Sequence, residues 1–434
     1  MVQNLSPTRL ARMHTVLGGY IDRGEMPGLV ALVSRGEDLH VEALGALSFG
    51  GAPMKRDTIF RIASMTKPIT ATAAMILVEE CRLRLDDPVD ELLPELASRK
   101  VLRRLDAPLD DVVSAKRAIT LRDLLTFRWG FGAVMVSPSA YPIQKAMEAA
   151  GLMPGPNPLE QEPDDYMKRL GALPLMHQPG EKWMYHTGSD ILGVLIARAS
   201  GQSFRDFLCE RIFAPLGMKD TDFHVPAEKL DRFVTSYQRD LATSRLTVHD
   251  DPRESRWSKP PAFASGGGGL VSTADDYLAF FRMMLGKGRY GNTRILSPAS
   301  VALMTMDHLT DAQKEGMEMF FGDGHGGFKA GWGFGFGVDT KRVDLSSVPG
   351  RFGWAGGLGT IGYADPRENL AGILLTQRII ESPVSPRVMS DFWTIAYQAI
   401  EDALQGLVEQ ELLGRLRVQG LHFPVTPVEY IDAA

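Results

Sequence analysis

The stretch Ile59-Phe60-Arg61-Ile62-Ala63-Ser64-Met65-Thr66-Lys67-Pro68-Ile69-Thr70 decides how the rest of the chain is read. A short β-branched and aromatic run, Thr58–Ile62, gives way to a helical pattern running from Ile69 to about Leu83. Ala71, Ala73 and Ala74 are small enough to let that helix pack closely. Pro68 suits an early helical position, where its missing N–H has no partner to lose. Ser64 and Lys67 stand three residues apart, so at a strand-to-helix transition they share one face of the first turn. A serine hydroxyl is a poor nucleophile until a neighbour takes its proton. A lysine one turn away does so when burial and nearby positive potential lower its pKa. The helix N-terminus adds some of that potential and brings backbone N–H groups close. As a bare pattern, Ser-x-x-Lys is weak and better explained by an N-cap serine and a solvated lysine. It occurs once in the chain, and its surroundings give it weight.

Two later stretches supply those surroundings. In Pro179-Gly180-Glu181-Lys182-Trp183-Met184-Tyr185-His186-Thr187-Gly188, a turn delivers a phenol just before a helix of small residues, Ile191–Ala199. A tyrosine near an ammonium has its phenolate stabilised and can act as base toward a serine; alone it reads better as a core tyrosine with a satisfied hydroxyl. In Phe352-Gly353-Trp354-Ala355-Gly356-Gly357-Leu358-Gly359-Thr360-Ile361-Gly362, glycines inside a strand expose the backbone to a substrate. An N–H near Gly357 would complete an oxyanion hole with that of Ser64.

Around these stretches, Leu5–Arg23 has apolar residues at helical spacing, and Leu29–Ser34 with His40–Leu44 reads as a β-hairpin. The middle is mostly helix and loop, with helices at Leu121–Leu125, Ile191–Ala199 and Ser203–Ile212. Between them Gly132–Pro163, rich in Pro, Gly and Met, reads as a long ordered loop or lid. Strand character returns in Gly331–Val338, which alternates glycine with Trp332, Phe334 and Phe336, then in Arg351–Ala364 and Leu370–Leu375. Ser390–Val408 closes as a helix. The pattern predicts an α+β fold: an antiparallel sheet built from both chain ends, with a helical insert. The expected boundaries are 1–68 with 225–434 for the discontinuous sheet domain and 69–224 for the helical one.

Composition narrows the function. The 434 residues carry 47 Lys+Arg against 53 Asp+Glu, so a net charge of −6 gives no electrostatic reason to expect nucleic acid or an anionic membrane as partner. Two cysteines, Cys81 and Cys209, cannot build a disulfide framework or a four-thiolate zinc site, and both read as buried free thiols. The nine histidines show no His-x-x-x-His pair, so neither a metal nor another cofactor is expected, and most histidines read as structural. No apolar run approaches the ~20 residues of a membrane span, and the N-terminus lacks a secretory apolar core. A cytoplasmic location is the expectation; the oligomeric state stays open, a homodimer included. An α/β-hydrolase would need Gly-x-Ser-x-Gly, which is absent.

Taken together, Ser64–Lys67, Tyr185 and Trp354–Gly356 resemble the serine β-lactamase and penicillin-binding-protein superfamily, whose motif order is Ser-x-x-Lys, Tyr-x-Asn, Lys-Thr-Gly. The class C branch and the family VIII carboxylesterases are the most similar. Softer landmarks are Leu83–Pro88, Leu121–Leu125 and Ser265–Asp275. The resemblance implies a β-lactamase/transpeptidase-like fold and acyl transfer through Ser64, with Lys67 and Tyr185 sharing the proton traffic. Trp354, Gly356, Gly357 and Thr187 are expected at the oxyanion hole and substrate pocket, with the Gly132–Pro163 loop, Trp354 and Phe336 shaping the acyl and alcohol pockets. Two departures matter. Thr187 stands where β-lactamases place an Asn, and Trp354-Ala355-Gly356 replaces Lys-Thr-Gly, removing the cation that pairs with a β-lactam carboxylate. His186-Thr187-Gly188 mimics that triplet but directly follows Tyr185 instead of lying on a late strand. Extra sequence lies around Ser98–Lys116. Short-chain esters are therefore the expected small-molecule substrates; β-lactams, D-amino-acid peptides, other amides and acyl transfer to a non-water acceptor are the alternatives, and a binding module that lost activity is the non-enzyme reading.

Overall fold

The computed structural model describes residues 5–134, 139–240, 242–317, 331–381 and 386–401. Seven strands form one antiparallel sheet: β1 Gly28–Arg35, β2 Asp38–Gly45, β3 Gly331–Trp332, β4 Gly337–Val338, β5 Phe352–Gly356, β6 Thr360–Asp365 and β7 Leu370–Thr376. Their order is β3-β4-β5-β6-β7-β1-β2, so the N-terminal hairpin docks on the last strand of the C-terminal meander. The register pairs Leu29 with Thr376 and Arg35 with Leu370. Every residue of β1 is buried, as its unbroken apolar run requires of a strand covered on both faces. The edge strand β2 instead carries Asp38, His40 and Glu42, charges that discourage pairing with another chain.

Five helices position the sheet and the site: α1 Pro7–Asp22, α2 Thr66–Glu79, α3 Thr187–Ser200, α4 Ala274–Leu285 and α5 Arg387–Gln398. Side chains alternate along β1, so Leu29, Ala31 and Val33 pack with Leu10, Met13 and Leu17 of α1 and with Phe392 and Trp393 of α5. Val30 and Leu32 face the opposite layer, which holds Met65, Ile69, Tyr277 and Phe281. Helix α2 is buried from Thr66 through Leu77 and packs against α3 at the centre of the molecule. Thr273 caps α4 by accepting from the Asp276 N–H at 3.2 Å. This helix in turn holds the turn before α2, because the Tyr277 hydroxyl donates to the Met65 carbonyl at 2.8 Å.

Several sequence expectations are corrected. Gly331–Val338 is not one strand: Gly335, at φ +75°, reverses the chain between β3 and β4, and the Gly333 N–H reaches the Phe336 carbonyl. Arg351–Ala364 likewise splits into β5 and β6, turned at Gly357–Gly359. Helix α2 stops at Glu79, not Leu83, so Cys81 lies past its end in a left-handed conformation and is exposed, while Cys209 is half-buried. Neither is the buried thiol that an extended helical pattern predicts. The segment 132–163 contains a helix, Pro142–Ala150, although 135–138 lie outside the described residues. The Ser98–Lys116 insertion forms a hairpin of Lys100–Leu102 with Val112–Ser114. The Ser203–Ile212 helix narrows to Phe204–Leu208 and continues as a wider, π-helical turn. The closing helix ends at Gln398, and 402–408 lie outside the described residues. No helix among the described residues is long and apolar enough to cross a membrane.

Arg61, three residues before Ser64, ties the approach to the site together. Only 2% exposed, it pairs with Asp250, donates to the Val234 carbonyl at 2.7 Å and lies over the Phe233 ring at 3.9 Å. Removing one partner of a buried pair strands the other charge. Arg61→Ala is therefore expected to cost about 3–5 kcal/mol, read as a lower urea midpoint; an unchanged midpoint contradicts this account.

Candidate active site

Ser64 sits in a single 3-10 turn, Ala63–Met65, between the short strand Phe60–Arg61 and α2. Ala63 has φ +45°, a conformation seldom adopted by residues with a side chain, and the turn is clamped to hold it. The Thr66 hydroxyl donates to the Ala63 carbonyl at 2.7 Å and accepts from the Leu270 N–H at 3.2 Å. On the other side, Gly356 of β5 lies so close to the Ile62 carbonyl that an added Cβ would sit 2.2 Å from that oxygen. Ser64 is thereby left half-exposed at the wall of a cavity of about 290 Å³.

Lys67 is fully buried one turn below. Its ammonium donates to Ser64 Oγ at 2.9 Å and to the Gly267 carbonyl, and it meets His186 Nδ1 at 3.2 Å. Burial pushes its pKa down to about 7, against the opposing pull of Asp190. Tyr185 lies on the opposite side, with its ring centroid 4.6 Å from Lys67 Nζ and its hydroxyl hydrogen-bonded to Ser64. Burial pushes the phenol above its ordinary range, although Ser64 and Trp354 favour the phenolate. The reason for the burial is an aromatic box: Phe127, Trp183, Trp332 and Trp354 surround Tyr185, with centroids 5.4–6.2 Å away. Tyr185 is held at the level of the chain too, since its carbonyl accepts from Ala133 and the preceding Met184 N–H reaches Phe127.

The structure thus brings Ser64, Lys67, Tyr185 and Trp354 together and redistributes the other expected residues. The Trp354 indole N–H donates to the Tyr185 hydroxyl, so its side chain braces the phenol and does not wall the cavity. Gly357 is exposed and lines the cavity with Ser64, whereas Gly356 is buried behind it. Thr187 reaches the cavity from the first turn of α3, but its hydroxyl donates to the Phe131 carbonyl at 3.3 Å. Phe336 is a correction: it stacks on Phe280 and meets Phe352 edge-on in the main core and does not line the cavity, because the chain reversal at Gly335 turns it inward.

Sequence reasoning missed His186 and Asp190, dismissing the first as part of a misplaced triplet. His186 Nε2 faces Asp190 Oδ2 at 3.3 Å, and Asp190 accepts from Ser265 Oγ at 2.6 Å and the Gly267 N–H at 3.0 Å. Their i,i+4 spacing at a helix start was the available signal.

Residues 13–384 match the family described as Beta-lactamase, and the chain belongs to that family. Protein Rv1367c of Mycobacterium tuberculosis is 40% identical over 366 residues, covering 82% of this chain and 87% of the relative. Esterase EstB of Burkholderia gladioli is 30% identical, covering 87% and 92%. The structure of EstCE1, a hydrolase with promiscuous acyltransferase activity, superposes with a TM-score of 0.74 at 24% identity, covering 90% of this chain and 99% of that one. The chain is an enzyme of β-lactamase-like fold, of the serine hydrolase and acyl-transfer type.

Because Phe336 packs away from the cavity, Phe336→Ala is expected to cost about 3–5 kcal/mol of stability while leaving KM for an ester near the parent value. Urea unfolding and steady-state kinetics check both halves; a large KM change with unaltered stability contradicts it.

Proposed function

We propose that the protein is a carboxylesterase of the family VIII type, cleaving short-chain esters through an acyl-enzyme on Ser64. The observation that carries this reading is the pairing of the Ser64–Lys67–Tyr185 cluster with a cavity whose lining, among the described residues, contains no Lys or Arg. Its apolar lining includes Leu152, Pro154, Leu159, Trp257, Leu358 and Ile379. Such walls suit a neutral, apolar acyl or alcohol group and offer a carboxylate no counter-ion. The relative EstB, an esterase, supports the same substrate class.

In the proposed chemistry, neutral Lys67 accepts the Ser64 proton as Oγ attacks the ester carbonyl. The oxyanion is held by the N–H of Ser64 and one near Gly357. The lowered pKa of Lys67 and raised pKa of Tyr185 support the lysine as base and the phenol as the donor through which a proton reaches the leaving alkoxide. Water then attacks the acyl-enzyme by the reverse proton path. An alcohol acceptor in place of water would make the same site an acyltransferase, a reading favoured by the dual activity of EstCE1.

Since the Lys67 pKa lies at about 7, the neutral amine dominates above that pH. kcat/KM for p-nitrophenyl butyrate is expected to rise as pH passes through about 7 and level off above it. A flat profile across that range would remove Lys67 from the role of base. Ser64→Ala is expected to abolish both ester turnover and labelling by a fluorophosphonate, and a chromogenic cephalosporin to be a poorer substrate than the ester. Cephalosporin turnover faster than that of every ester tried would reverse the assignment.

A further inference from the structure

His186 is in an unusual backbone conformation, φ +84° and ψ −67°, the geometry of a tight three-residue turn that L-residues seldom adopt. Successive residues of a strand point to opposite faces. Here the turn lets two successive side chains, Tyr185 and His186, both reach Lys67. Asp190, one helical turn later, is 2% exposed. Its Oδ1 is occupied by the Ser265 hydroxyl and the Gly267 N–H, which leaves Oδ2 to face His186 Nε2. Gly267 closes the arrangement, with its N–H on Asp190 and its carbonyl on Lys67. An added Cβ at Gly267 would lie 2.8 Å from His186 Nε2 and 3.0 Å from Asp190 Oδ1.

We propose that His186 is a positioning residue: Asp190 keeps its proton on Nε2, so that Nδ1 accepts from Lys67 and turns the lone pair of the neutral amine toward Ser64. The inference rests on Ser64 being the nucleophile. It follows from counting donors. The ammonium form of Lys67 has three N–H groups for three acceptors: Ser64 Oγ, the Gly267 carbonyl and His186 Nδ1. The neutral amine has two N–H groups and one lone pair. The carbonyl can only accept, so one N–H goes to Gly267. If Nδ1 is bare, the second N–H goes to His186, and the lone pair is left for the Ser64 O–H. If Nδ1 carries the proton, it takes the lone pair itself, and the serine loses its base. The tautomer of His186 thus decides whether Lys67 is productive, and the fixed carboxylate of Asp190 decides the tautomer.

The ionisation states agree with this. Burial would raise the Asp190 carboxyl, but hydrogen bonds from His186, Ser265 and Gly267 hold it below its ordinary value, so it is charged. Burial and the neighbouring Lys67 push His186 below its ordinary value, so its ring is neutral. The groups facing this centre are Asp190 and His186 at the start of α3, Tyr185 just before it, and Tyr166 of the helix Pro163–Ala172. The Ser265–Gly269 segment adds only a hydroxyl and backbone groups.

The test is a cycle of substitutions with pH profiles of kcat/KM on p-nitrophenyl butyrate. In Asp190→Asn, the amide oxygen stays with Ser265 and Gly267 and the NH2 turns to His186, forcing the proton onto Nδ1. The plateau is expected to fall roughly 10–100-fold, part of what a full acid–base group supplies. The rising limb moves to lower pH, because the Asp190 charge no longer raises the Lys67 pKa. His186→Ala falls by a similar factor, and His186→Asn restores most of that loss, since its Oδ1 takes the place of Nδ1 and cannot be protonated. In the His186→Asn background, Asp190→Asn is expected to cost roughly threefold or less, far below a full acid–base loss. An equal cost of Asp190→Asn in both backgrounds, or no cost in the parent, overturns the inference and assigns Asp190 to packing. Fluorophosphonate labelling separates this from the underlying reading: a Ser64→Ala variant that still labels refutes the nucleophile itself.

Discussion

A fully buried amine, met by Ser64, the Gly267 carbonyl and His186, sets the terms for the rest of the site. An ordinary lysine in water stays charged far above neutral pH and is useless as a base. Removing solvent penalises the charged form, and here Asp190 returns only part of the loss, which brings the pKa to about 7. This balance requires α2 to be a central helix, buried from Thr66 through Leu77, and requires α3 to run past it with Asp190 on its first turn. The seven-stranded sheet serves the same end, because Gly356 of β5 packs against Ile62 and fixes the turn that presents Ser64.

The aromatic box applies the same physics in the opposite direction. Burial lowers the pKa of a lysine but raises that of a phenol, so one apolar environment favours the neutral form of both, as the proposed roles of base and proton donor require. Trp354 stands where the Lys-Thr-Gly pattern would place a cation. A cation there would pull the phenol down, whereas an indole N–H braces its oxygen and adds no charge. The Trp354 hydrogen bond itself favours the phenolate, so it is burial that keeps Tyr185 neutral. Membership of the Beta-lactamase family is compatible with both effects, since a shared fold does not fix the charges at the site.

Much of the architecture was legible because it depends on local patterns. The hairpin of β1 and β2, helices α1 and α3 and the strand-to-helix break before Ser64 follow from apolar spacing and from Gly and Pro punctuation. The misreadings share one cause. Gly331–Val338 alternates perfectly, yet a single glycine able to take positive φ reverses it, and Phe336 passes from an expected pocket wall into the core. Cys81 was misjudged because a helical pattern does not reveal where a left-handed residue will end the helix.

By itself the sequence determined the motif set: a serine and lysine on one turn, a tyrosine ahead of a small-residue helix, and a glycine-rich strand lacking the expected lysine. These are matters of residue type and short spacing, which the chain carries wherever it folds. Only the tertiary structure decided what those groups are worth chemically. Solvent exclusion around Lys67, the brace from Trp354 to Tyr185 and the contact of His186 with both Lys67 and Asp190 depend on segments far apart in the chain. Ionisation and tautomer depend on the dielectric and on partners supplied by distant chain, and no local pattern encodes either.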